Sequence, residues 1–266
     1  MKNKFMTDKE YETCFSQFWG IRKKIAQTLI PFGLQSSSKI LDVAAGHGFF
    51  TIEIAKLLQK GEINAIGLQN DLESYQNFTS SLDTKDSKII KKIKYSIMDA
   101  ADLTFKDETF DFVVNFLGLE DINMTRGKNG LQKAIREFSR VLKQGGVLQL
   151  TICLEGDEPD QLLAKEITQD IGHQAMFYQK EFYIDELVKN NIDLTLEKWF
   201  YTKRKMTAKQ AKEELQFACE ETPKIFEDYK IQTKSFETLW EKYHTDLKKH
   251  GMAYYSQLLV IIGKKL

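Results

Sequence analysis

The chain is poor in the residues that staple, break or grip. Its three cysteines, Cys14, Cys153 and Cys219, are odd in number and far apart, so they form neither a disulfide framework nor a zinc knuckle. Reduced thiols in a cytoplasmic protein are the expectation. Only three prolines interrupt the chain, and of its 38 Lys and Arg only five are arginine: Arg22, Arg126, Arg136, Arg140 and Arg204. Bidentate forks for phosphate are therefore scarce, and 38 acids balance the 38 bases, which argues against a nucleic-acid surface. No apolar run approaches the roughly 20 residues that span a bilayer. The N-terminus, MKNKFMTDKEYE, is charged and lacks a signal-peptide core, so no membrane or export role is expected.

What is present is an ordinary globular composition, 42% apolar and 12% aromatic over 266 residues, enough for a large core. Helical spacing of Phe15, Phe18, Trp19 and Ile25 predicts a helix over 8–30, closed by Pro31 and Gly33. Apolar strand-like runs follow at 39–44, 63–68, 93–98, 110–116 and 146–153. A helix at 51–59 follows the first, and another at 131–142 carries the stripe Leu131, Ala134, Ile135, Phe138, Val141 and Leu142. Strands alternating with helices predict an α/β fold, a doubly wound, mostly parallel sheet covered on both faces. Further on, helices are expected at 159–171 and 180–190 and strands at 194–201 and 254–262. Between these last strands lies a helical segment, with Thr207 and Gln210 as a capping box and Phe236, Leu239, Trp240, Tyr243 and Leu247 as an apolar stripe. The expected organisation is an N-terminal helical cap at 1–35, a core at 36–200 and 252–266, and a helical insertion or lid at 201–251 before the last strand.

Three motifs carry chemistry. KILDVAAGHGFFTIEIAK (39–56) is a strand ending in an acid, a turn with Gly46 and Gly48, and a helix. Glycines there let a ligand approach the backbone at a helix N-terminus. A dinucleotide fingerprint would need a third glycine where Thr51 stands. YSIMDAADLTFKDETFDFVV (95–114) is a strand ending in an acid, a turn and a second strand, and REFSRVLKQGGVLQLTI (136–152) is an amphipathic helix, a double-glycine turn and a strand. In this order and at these distances the chain resembles the class I S-adenosylmethionine-dependent methyltransferases of the ubiquinone/menaquinone-biosynthesis-like, small-molecule branch. The match is good over residues 36–153 and looser beyond.

The resemblance implies a seven-stranded Rossmann-like methyltransferase sheet and S-adenosylmethionine as cofactor. It places Asp42, Ala44, Gly46 and Gly48 around the methionyl end, Asp99 and Ala100 on adenine, and the backbone of Asn115 at the methionyl end. The acid that normally ends the second strand and takes the ribose hydroxyls is missing: GEINAIGLQND (61–71) puts Gly67 there. Gln69 is taken as its substitute, with Asn70 and Asp71 as alternatives.

Transfer from a sulfonium needs no metal, and a base only for some acceptors. The candidates are His47, Glu120, Asp121, His173 and Tyr178, each with an ordinary structural role as its alternative. NFLGLED (115–121) lacks the Asn-Pro-Pro-aromatic signature of enzymes acting on amide and exocyclic nitrogens of macromolecules, which favours a small-molecule acceptor. The other readings are a non-catalytic methyltransferase-like scaffold or regulatory subunit, a macromolecular acceptor, and a nicotinamide-dependent oxidoreductase. The insertion is where a second copy of the chain could meet the first in a homodimer.

Overall fold

A computed structural model describes residues 18–82, 87–154, 156–173, 178–202, 205–253 and 255–266, without the side chains of Trp19 and Ser87. Tyr11, Cys14, Phe15 and Tyr254 lie outside the described residues. Seven strands form one sheet: β1 (Lys39–Val43), β2 (Glu62–Gly67), β3 (Ile93–Ile97), β4 (Phe110–Phe116), β5 (Leu142–Cys153), β6 (Ile192–Tyr201) and β7 (Gln257–Lys265). Their spatial order is β3-β2-β1-β4-β5-β7-β6. Pairings from β3 through to β5 are parallel, and β7 runs antiparallel to both its neighbours.

Alternation along the central strands sorts the core into two layers. Ile40, Ile63, Ala65, Phe112 and Val114 face α1 (Trp19–Gln27) and α2 (Phe49–Ala55). Leu41, Val43, Ile66, Val113 and Leu148 face α5 (Leu119–Val141) and α7 (Lys180–Lys189). The predicted stripe from Leu131 to Leu142 is fully buried in this second layer. Helix α5 begins well before that stripe. Its backbone breaks at Gly127 (φ 66°, ψ −179°), which makes two helices meeting at a bend. Gly127 and Gly130 depress helix propensity there and conceal the first half from periodicity.

The remaining helices are α3 (Gln69–Ser80), α4 (Ser87–Ile90), α6 (Pro159–Ile171), α8 (Ala208–Glu220), α9 (Thr222–Ile225) and α10 (Phe236–His250). The segment between β6 and β7 packs on α6: Leu163 and Ile167 of α6, Ala211 and Leu215 of α8, and Leu239, Tyr243 and Leu247 of α10 form one cluster. A bridge between Met206 and Met252 joins its two ends where they leave the sheet. Ion pairs from Asp170 on α6 to Lys234 and Lys242 pull its carboxyl down to about 2 and tie α10 to the same helix.

One arginine explains why the third motif accompanies the second. Arg140 donates to the carbonyls of Leu103 and Phe105 (each 2.8 Å) and to the carboxylates of Glu137 (2.7 and 2.8 Å) and Asp107 (2.6 Å). The loop after β3 is thereby fixed against α5, which sets the direction in which Asp99 leaves the sheet.

Candidate active site at the carboxyl edge of the sheet

The carboxyl ends of β1 to β4 frame a cleft of about 580 Å³, its open mouth included. Its floor is Ala44 and Gly46 after β1, Gly67 and Leu68 at β2, and Met98, Asp99 and Ala100 after β3. Asp71 closes the side of β2. The facing wall is the first half of α5, with Asp121, Ile122, Thr125 and Arg126, and the third wall is Phe226 and Tyr229 of the insertion.

The glycine turn takes its shape from backbone geometry that few residues tolerate. Gly46 (φ 51°) and Gly48 (φ 80°) are left-handed, and a Cβ on Gly48 would lie 2.6 Å from the Tyr75 ring. Tyr95 donates its hydroxyl to the carbonyl of Gly46 (2.9 Å), holding the turn against β3. Beneath the turn Asp42 is buried, and Thr51 donates its hydroxyl to it at 2.6 Å. Burial raises the Asp42 carboxyl to about 7, against the opposing pull of that hydrogen bond. Thr51, at the place of a third glycine in the dinucleotide fingerprint, is thus the partner of the first-motif acid.

The same tyrosine explains the glycine at the end of β2. A Cβ on Gly67 would sit 2.2 Å from the Tyr95 hydroxyl and 2.8 Å from Asp71 Oδ2, so no side chain fits there. Asp71, in the first turn of α3, accepts the Leu68 N–H at 2.7 Å and brings its carboxylate back to the place left vacant at Gly67. Burial raises its pKa, partly offset by the Leu68 hydrogen bond. Across the cleft Asp121, though exposed, is raised as well, by the desolvation its protein neighbours impose and then by the charge of Asp71.

At the end of β3, Asp99 accepts the N–H of Ala101 (2.9 Å) on one carboxylate oxygen and pairs with Arg126 (2.6 Å) on the other. Leu68, Met98 and Ile122 supply apolar surface beside it. The cleft therefore combines an apolar slot with an acid at its rim, a second acid at the end of β2 and a glycine turn. That suits a ligand with a planar heterocycle, a diol and a cationic end.

Residues 41–150 match the family described as a methyltransferase domain. Over that stretch the chain carries a methyltransferase domain, set in the seven-stranded sheet described above. A demethylmenaquinone methyltransferase of Lactiplantibacillus plantarum is 33% identical over 144 residues, 54% of this chain and 55% of that protein. The chain thus spans about half the length of the curated relatives it matches. A geranyl diphosphate methyltransferase solved in complex with SAM superposes with a TM-score of 0.56 at 10% identity, covering 92% of this chain and 85% of that one. The cyclase SpnF does so with a TM-score of 0.57 at 17% identity, covering 93% and 80%. At such identities the likeness shows the fold alone.

Within the methyltransferase domain, four of the expected cofactor residues line the cleft: Ala44, Gly46, Asp99 and Ala100. Asp42 and Gly48 lie behind the lining, as supports of the turn. Asn115 is fully buried one layer deeper, donating to the Val43 carbonyl (2.8 Å) and accepting the Gly118 N–H (3.3 Å). Gln69 opens α3, is exposed and stands off the cleft; the polar side chain at the end of β2 is Asp71. Arg126, Phe226 and Tyr229 had no local signal.

Of the acid and base candidates, His47 stacks on Phe49 (5.4 Å between rings, 6° between planes) and is not on the cleft lining. His173 is buried, its pKa lowered to about 4 by desolvation, and it too is off the lining. Tyr178 donates its hydroxyl to Asn123 at 3.1 Å. Glu120 is the unusual one. It is 3% exposed and off the cleft lining, and burial raises its pKa to about 8, partly offset by the backbone N–H groups of Glu120 and Cys153 and reinforced by the charge of Asp121. Among the described residues no group of His, Cys, Asp and Glu could hold a metal ion, and no helix is long and apolar enough to cross a membrane.

Proposed function

We propose that this protein transfers a methyl group from S-adenosylmethionine to a small-molecule acceptor. The observation that carries the reading is Asp71. It brings a carboxylate to the place where the resemblance expects a ribose acid, while Asp99 presents another at the end of β3. The motive for a non-catalytic scaffold is the absent acid, and the Asp71 carboxylate weighs against that reading. In this reading the ribose hydroxyls donate to Asp71, the adenine amino group to Asp99, and the cationic end lies toward the glycine turn and Asp121.

When bound, S-adenosylmethionine supplies an electrophilic methyl on a sulfonium. The protein's work is to hold the acceptor atom about 3 Å from that methyl, opposite the sulfur, and to keep water out. Glu120, beside Asp121 at the start of α5, holds a proton at neutral pH because ionising it in a buried position is costly.

A small-molecule acceptor is favoured by NFLGLED after β4 and by the curated relatives, whose name specifies demethylmenaquinone. The test is incubation of the protein with methyl-labelled S-adenosylmethionine and cell extract, followed by separation by size. Label in the small-molecule fraction is expected; label confined to protein or RNA would refute the acceptor class.

A further inference from the structure

We infer that the insertion serves the methyl donor rather than the acceptor: Phe226 and Tyr229 form the outer wall over the adenine end of the cleft, and Arg126 joins that wall to Asp99. This rests on the reading of the cleft as an S-adenosylmethionine site.

The segment that reaches the cleft is short. Helix α9 and the 3-10 turn Glu227–Tyr229 leave the body of the insertion, and Lys230 ends the turn in the left-handed region (φ 53°). Helices α8 and α10 of the insertion pack instead against α6. Two contacts bring the turn back to the sheet. Asn70, at the start of α3, donates its side-chain amide to the Ile225 carbonyl at 3.1 Å. The Arg126 guanidinium lies 5.1 Å from the centre of the Tyr229 ring and bonds Asp99 at 2.6 Å.

The placement of Arg126 is built into α5. It is the last residue before the bend at Gly127, and a Cβ on Gly130 would lie 2.1 Å from the Arg126 Cβ, so the helix leaves room for this side chain only because Gly130 has none. Phe226 and Tyr229 then complete a slot whose other surfaces are Leu68, Met98 and Ile122, with Asp99 at its rim. Aromatic rings over a planar base exclude water from it and stack on it. These contacts are gathered around Asp99 and the start of α3.

The test is calorimetric titration of S-adenosylhomocysteine and of adenosine into the full chain, with limited trypsin digestion alongside. No binding of S-adenosylhomocysteine to the unmodified protein would overturn the cofactor reading on which the inference rests. With that binding in place, the Phe226→Ala, Tyr229→Ala double variant should bind both ligands about tenfold or more weakly, and by the same factor, because the lost contacts touch the moiety they share. Saturating S-adenosylhomocysteine should slow tryptic cleavage after Lys224 and Lys230 of the unmodified protein, and Asn70→Ala, outside the insertion, should speed it. Undiminished affinity in a double variant that keeps its circular dichroism, a loss for S-adenosylhomocysteine but not for adenosine, or cleavage indifferent to ligand would each overturn the inference.

Discussion

Replacing Asp71 by alanine tests how this chain does without an acid at the end of β2. Its carboxylate keeps the Leu68 N–H at 2.7 Å and faces the cleft beside Gly67. Two ribose hydroxyls on one carboxylate are charge-assisted bonds worth about 1.5 to 3 kcal/mol each, offset by the water each group gives up on binding. We therefore expect Asp71→Ala to weaken S-adenosylhomocysteine by about 3 kcal/mol, roughly a hundredfold. Loss of the Leu68 hydrogen bond at the start of α3 should lower stability by about 1 kcal/mol as well, so affinity should be measured where the variant is fully folded. The decisive control is the ligand. The unmodified protein should prefer adenosine to 2′,3′-dideoxyadenosine strongly, and Asp71→Ala should lose most of that preference. An Asp71→Ala protein that binds S-adenosylhomocysteine within threefold of the original, or that keeps its preference for the diol, refutes the assignment. Gln69→Ala, off the cleft, should leave both quantities unchanged.

Three further outcomes follow from buried geometry. Gly67→Ala should cost about 1 to 3 kcal/mol by overpacking, and less in a Tyr95→Phe background, where the oxygen 2.2 Å from the new Cβ is absent; equal costs in both backgrounds, by urea denaturation, would contradict the clash. Thr51→Val strips the buried Asp42 of its 2.6 Å hydrogen bond and should lower stability by about 1 to 3 kcal/mol, and an unchanged urea midpoint would count against it. Glu120 ionises near 4.5 when unfolded and near 8 when folded, so the folded state holds the extra proton between those values. Its contribution to stability is complete below pH 4.5 and is lost as pH rises toward 8. Glu120→Gln should therefore lose less stability than the original protein between pH 5 and 8, by up to roughly 4 kcal/mol, and parallel curves for the two proteins would show that the carboxyl is not held protonated.

The parts of this molecule that were legible in the chain are those whose cause is local. Buried parallel strands read as apolar runs because both of their faces are covered, and Gly46, Gly48 and Asp99 stand next to the strand ends that place them. Asp71 required knowing that the Tyr95 hydroxyl crosses from β3 to occupy the space beside Gly67, a contact made only by the pairing of β2 with β3. Thr51 departs from the dinucleotide fingerprint in the sequence, and only the fold brings its hydroxyl to Asp42. The first half of α5 was concealed by two glycines, and with it Arg126. Phe226 and Tyr229 come from a segment more than a hundred positions downstream, where nothing in the local pattern separates them from ordinary insertion aromatics.

The central claim is that an adenosyl donor lies in the cleft at the carboxyl ends of β1 to β4. A crystal structure of the protein grown with S-adenosylhomocysteine tests it most directly. The account predicts the ribose hydroxyls within hydrogen-bond distance of Asp71, the adenine amino group on Asp99, and the ring between Ile122 and the Phe226–Tyr229 turn. A ligand bound elsewhere, or one whose ribose turns away from Asp71, would contradict it.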